Sequence, residues 1–165
     1  MAKLLVTLMV LASSLVAPPA MADKATAMLV DPNLADGDSG ITADLMFIDN
    51  GSKLVVTGTA QGMDPTKKYI SLIYDEASAS SGLNACIPAQ PTRSPPPDSN
   101  GLTFDQMQLG DWQPIGSRTR TLNAERRGVA YVPLSWIGTV SIRRHDQTGP
   151  QAALPLMACG AVVIQ

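Results

Sequence analysis

The chain of 165 residues holds one histidine and two cysteines, and that scarcity excludes more chemistry than any motif includes. Zinc, copper and iron centres draw three or four nitrogen or sulfur ligands from the protein, whereas His145, Cys86 and Cys159 are the whole stock of imidazole and thiol. No metal site and no cofactor are therefore expected. Aromatic side chains are 4% of the residues, charged ones 16%, and the net charge is −2. With neither a basic excess nor stacking rings, nucleic acid is not an expected partner. Gly-x-Ser-x-Gly and phosphate-loop motifs are missing, so His145 is the one conventional base for a Ser or Cys nucleophile.

Long hydrophobic runs are missing as well, except at the start. Lys3 is followed by the apolar stretch Leu4 to Ala12, then Pro18-Pro19 and the small-residue site Ala20-Met21-Ala22. This is the pattern of a signal peptide, residues 1–22, cleaved after Ala22; its apolar core of roughly a dozen residues is short of the ~20 that span a bilayer. Residues 23–165 are then expected to be one soluble domain without a transmembrane segment, periplasmic or secreted. In an oxidising compartment Cys86 and Cys159 read as one disulfide rather than as two separately buried thiols. Closing so long a loop would stabilise by about 4 kcal/mol in the chain-entropy description.

What is plentiful is turn-forming residue, with 13 Gly and 13 Pro. Beyond the leader, apolar residues recur at spacing two and are interrupted by turns, which is a β pattern. Ile41, Ala43, Leu45 and Phe47 share one face, with Thr42 and Asp44 on the other. Asp49-Asn50-Gly51-Ser52 makes a turn, Lys53 to Ala60 a β-branched strand, Gly62-Met63-Asp64-Pro65 a turn, and Tyr69 to Tyr74 a strand. Residues 77–101 are Pro- and Ser-rich and form one long mid-chain loop containing Cys86. Strands resume over Leu102 to Leu109, Trp112 to Ile115, Thr119 to Leu122, Val129 to Ile137, Val140 to Arg144 and Ala158 to Ile164. The fold class is all-β, a sandwich or flattened barrel of about eight to ten strands.

Three stretches resemble the copper/zinc superoxide dismutase family. Val55-Val56-Thr57-Gly58-Thr59-Ala60-Gln61-Gly62-Met63-Asp64-Pro65 is similar to that family's strand ending in a Gly-Leu-x-Pro turn, with Lys68 to Asp75 standing where its His-x-His strand follows. Val132 to Gly138 with Val140-Ser141-Ile142 resembles its late strand pair. Ala158-Cys159-Gly160-Ala161-Val162 is similar to its terminal Ala-Cys-Gly-Val-Ile, whose Cys pairs with one in the loop where Cys86 lies. The resemblance covers about residues 54 to 165 and does not extend convincingly through 88–128. It implies a Greek-key β-sandwich and the Cys86–Cys159 disulfide.

The departures from that family bear on function. Ser71-Leu72-Ile73 stands at the His-x-His position, no histidine or clustered aspartate in 77–101 builds a zinc site, and the family's late arginine falls near Leu156. His145 lies within a residue or two of the last copper ligand's position. With Val140 and Ile142 facing inward, alternation puts it outside as a solvated side chain beside Ser141 and Arg143. The expectation is an exported, non-catalytic relative without metal ligands, having a binding or structural role. The competing expectation is a hydrolytic or redox enzyme using His145 or carboxylates such as Asp36, Asp38, Asp75 and Glu76. A metal-handling role for the methionines has little behind it, because three of the eight lie in the leader and the rest are scattered.

Charge placement adds one more candidate. Arg118, Arg120, Arg126, Arg127, Arg143 and Arg144 share the stretch from Trp112 to Arg144 with a single acid, Glu125. On adjacent strands they would make a patch for an anionic glycan or lipid head group; as solvated positions they would discourage edge pairing.

Overall fold

A computed structural model describes residues 22–31, 40–75, 102–146 and 154–165. In chain order the strands are β1 (Asp23–Leu29), β2 (Thr42–Asp49), β3 (Lys53–Gln61), β4 (Tyr69–Asp75), β5 (Gln108–Asp111), β6 (Gln113–Pro114), β7 (Arg120–Arg127), β8 (Ile137–Arg144), β9 (Leu156–Ala161) and β10 (Val163–Ile164). They form two antiparallel sheets, ordered β10-β1-β2-β3-β7-β6 and β5-β4-β8-β9. The protein is all-β in its described parts, as expected. The proposed leader (all but Ala22), the long loop with Cys86, and Asp36, Asp38 and Glu76 lie outside the described residues.

The six-stranded sheet obeys the period of two. Ala25, Ala27 and Leu29 of β1, Ala43, Leu45 and Phe47 of β2, and Leu54, Val56 and Ala60 of β3 are buried, and the residues between them are wholly or partly exposed. Their inner face packs on Ile73, Val140, Ile142 and Ala158 of the other sheet. Trp112 links β5 to β6 and is buried between the layers, where its indole Nε1 donates to Ser71 Oγ at 2.9 Å. Gly58 makes space for that ring: a Cβ there would sit 3.3 Å from the indole and 2.9 Å from the Asp44 carbonyl oxygen.

The expected last strand, Ala158 to Ile164, divides. Ala158 to Ala161 belongs to β9 in the smaller sheet, and after Val162 the chain crosses to the larger sheet as β10, beside β1. Val30 and Cys159 close this side of the sandwich by a bridge, Val30 N to Cys159 O at 3.1 Å and Cys159 N to Val30 O at 2.9 Å. Gly160 permits that approach, because a Cβ on it would overlap the Met28 carbonyl.

Two expected strands are otherwise in part. In Leu102 to Leu109, residues Phe104–Met107 form a single helical turn before β5 begins. Thr103 and Gln106 cap it reciprocally, Thr103 N donating to Gln106 Oε1 at 2.9 Å and Gln106 N to Thr103 Oγ1 at 3.4 Å. In Val129 to Ile137, two 3-10 turns, Gly128–Ala130 and Leu134–Trp136, replace extended chain. Gly128 ends β7 with φ of 58°, and the buried Asp49 carboxylate holds the second turn by accepting from Leu134 N at 2.8 Å and from the Tyr131 hydroxyl at 2.9 Å. Burial, with Asp49 accepting its proton, pushes the Tyr131 phenol up to about 12.

Candidate functional site

The resemblance directs attention first to β4 and β8, neighbours in the smaller sheet. Ser71 and Ile73 face the core, fully buried, and the Ser71 hydroxyl is engaged by the Trp112 indole. On the opposite side of the same sheet Ile70, Leu72, Tyr74, Leu154 and Cys159 form a second buried apolar cluster. Ser141 and Arg143 lie on that side too, not in solvent. The Tyr74 hydroxyl is 3.0 Å from Ser141 Oγ and accepts from Arg143 Nε at 3.1 Å, while Arg143 Nη1 donates to the Leu154 carbonyl at 3.0 Å. A guanidinium, a phenol, hydroxyls and alkyl groups are not a donor set for copper or zinc, so these residues do not fit the metals that the resemblance implies.

His145 corrects one expectation. Its side chain is 13% exposed rather than solvated, and Nε2 lies 3.2 Å from Asp111 Oδ1 on the edge strand β5. Its backbone N–H donates to the Lys68 carbonyl, which pins the end of β8 beside the start of β4. Alternation put it correctly on the side of Ser141 and Arg143, but that side is covered. Next to it Asp146 contacts Lys67 Nζ and Arg144 Nε, each at 3.3 Å. Desolvation works against the charged form there, yet the Lys67 hydrogen bond and the two cations hold the Asp146 carboxyl below its usual range. Among the described residues no three His, Cys, Asp or Glu side chains converge as metal ligands.

The six arginines do not occupy one sheet. Arg118 precedes β7, Arg120, Arg126 and Arg127 lie on β7, and Arg143 and Arg144 on β8 of the other layer. Arg120 is buried and gathers the turn before β4: its guanidinium donates to the carbonyls of Asp64, Pro65, Lys67 and Trp112 and lies over the Tyr69 ring, 5.4 Å from the centroid. Arg118 donates to the Gly62 carbonyl at 2.8 Å, Arg126 to the Asp105 carbonyl, and Arg127 pairs with Glu125. Arg120 and Arg143 thus serve the fold, and neither contributes to a surface patch.

The larger sheet carries an open depression of about 510 Å³ on its outer face, lined chiefly by Thr26, Asp44, Met46, Thr57, Thr59 and Thr121. The ladders position these side chains: Asp44, Thr59 and Thr121 are register partners across β2, β3 and β7, and Thr26, Met46 and Thr57 form the adjacent row across β1, β2 and β3. Thr42 and Asp44 were legible as outward positions; the concentration of threonine there appears only when the four strands are set in register. Thr121 Oγ1 donates to the Gly58 carbonyl at 3.0 Å, which uses its proton and leaves the oxygen as an acceptor.

Asp75 ends β4, and Cys159 is fully buried on β9. Its expected partner Cys86 is outside the described residues, and no free cysteine stands among those described. No helix among the described residues is long and apolar enough to cross a membrane. No protein-family model matches the chain, and no curated protein is significantly similar to it.

Proposed function

We propose that the chain is an exported Greek-key sandwich of the superoxide dismutase type that lacks the copper and zinc ligands and acts by binding or as a structural module. The observation that carries this reading is the strand order. The sequence β1-β2-β3-β7 in one layer against β5-β4-β8-β9 in the other, with crossings after β3, β5, β7 and β9, supports the family resemblance of the Ala158-Cys159-Gly160 stretch. The engaged Ser71 and the buried Ile73 support loss of the metal site. Export rests on residues 1–22, and a Cys86–Cys159 disulfide on the two cysteines and the same resemblance.

Metal analysis of the purified protein together with a superoxide assay tests the reading. It predicts no stoichiometric copper or zinc and no dismutation above the uncatalysed rate; fast dismutation with bound copper would overturn it. Alkylation with and without reductant, read by mass, reports the disulfide. The His145–Asp111 contact favours a second reading, an imidazole oriented by a carboxylate for base catalysis. That reading requires an activity which His145→Ala abolishes, whereas the binding reading expects His145→Ala to leave function intact.

A further inference from the structure

We infer that the outer face of the six-stranded sheet is a binding platform for a glycan bearing amino groups, with Asp44 receiving the ammonium and the surrounding threonines the hydroxyls. The inference rests on the binding reading above only for the premise that this chain acts by binding. The surface is built from three adjacent ladders, β1 with β2, β2 with β3, and β3 with β7. Backbone hydrogen bonding fixes its groups on a grid of about 4.8 Å between strands and about 7 Å along them. A ligand therefore meets hydroxyls already in place, with little ordering left to oppose binding.

Charge selects the ligand class. Asp44 is exposed and has no ion pair or hydrogen bond among the described residues, whereas Glu125 on the same face is taken by Lys53 and Arg127. Among the described residues no lysine or arginine lines the depression, so it presents one uncompensated carboxylate there, which repels anions and favours a cation. A bare ammonium would leave the hydroxyls of Thr26, Thr57 and Thr59 without a role. Met28 and Met46, 71% and 45% exposed, flank or line the depression and offer apolar area to the C–H faces of a sugar ring. The volume of about 510 Å³ lies within the range of about 300–1,000 Å³ in which small-molecule sites fall. Without an aromatic platform the affinity is expected near a millimolar dissociation constant, about −4 kcal/mol.

Amide and methyl NMR titration of the purified protein tests this, with a glucosamine oligomer, its fully N-acetylated counterpart and heparin as probes. The glucosamine oligomer is expected to shift Asp44, Thr57, Thr59 and Thr121, and to bind at least about tenfold more tightly than the acetylated form. Asp44→Asn is expected to erase that difference, and Thr59→Lys, which sets an ammonium beside Asp44, to abolish binding while the remaining spectrum keeps its folded dispersion. Equal binding of the two oligomers, shifts confined to the surroundings of Arg118, Arg126, Arg127 and Arg144, preference for heparin, or no shift with any probe would each overturn the proposal. Metal content and dismutation are read independently, so failure here and failure of the metal-free sandwich reading are distinguishable.

Discussion

The two sheets share a core but differ in how they meet their surroundings. In the six-stranded sheet the outward positions mix threonine, asparagine and charged groups with two exposed methionines and with Ile48, Val55 and Val163, and burial alternates along the strands. In the four-stranded sheet β8 is buried at seven of its eight residues, so neither face is left to solvent along that strand. Of its polar groups on the side away from the core, Ser141 and Arg143 are bonded to Tyr74 and Leu154, while the buried Thr139 hydroxyl has no hydrogen-bond partner among the described residues. The lesson is that sequence polarity locates a surface only where alternation survives. Arg143 is cationic and buried, Thr57 is neutral and half-buried, and the second belongs to the face that is open to a ligand.

Substitutions can break this contrast in a graded way. Gly160→Ala should have the largest effect, several kcal/mol or failure to fold, because the added methyl overlaps the Met28 carbonyl where β9 meets β1; thermal melting or loss of soluble yield reports it. Arg143→Ala should cost about 3 kcal/mol in urea unfolding, since the Leu154 carbonyl and the Tyr74 hydroxyl lose a buried charged donor. Asp49→Ala should cost about 2 kcal/mol by stripping the Leu134 N–H and the Tyr131 hydroxyl of their acceptor. The Tyr131 phenol supplies a pH test. Its folded pKa is raised from 10.0 to about 12, so its contribution is complete below about pH 10 and is lost as pH rises through about 12. Tyr131→Phe should flatten that alkaline slope in unfolding free energy. Thr57→Val on the open face should change stability by no more than about 0.5 kcal/mol, and a larger loss would show that this face is covered.

Where local pattern and tertiary environment agree, the residues were sufficient. Ile41 to Phe47, Lys53 to Ala60 and Tyr69 to Tyr74 are strands, as the alternation and β-branching require. β1 escaped because its inward positions are Ala25, Ala27 and Leu29, two of them too small to stand out against the neighbours. The helical turn at Phe104–Met107 had a readable sign in Thr103 and Gln106, the spacing of a capping box. The 3-10 turn at Leu134–Trp136 had none, since its hold is a carboxylate from β2, far away along the chain.

Composition determined that His145 and two cysteines could not build an imidazole-rich centre, and spacing determined that the chain forms β-strands; both follow from residue chemistry and a period of two. Only the tertiary structure decided that Arg120 and Arg143 are internal, that His145 meets Asp111, and that Thr26, Thr57 and Thr59 surround Asp44. Those relations depend on register between strands distant in sequence, and register is set by which faces pack together rather than by any one strand alone.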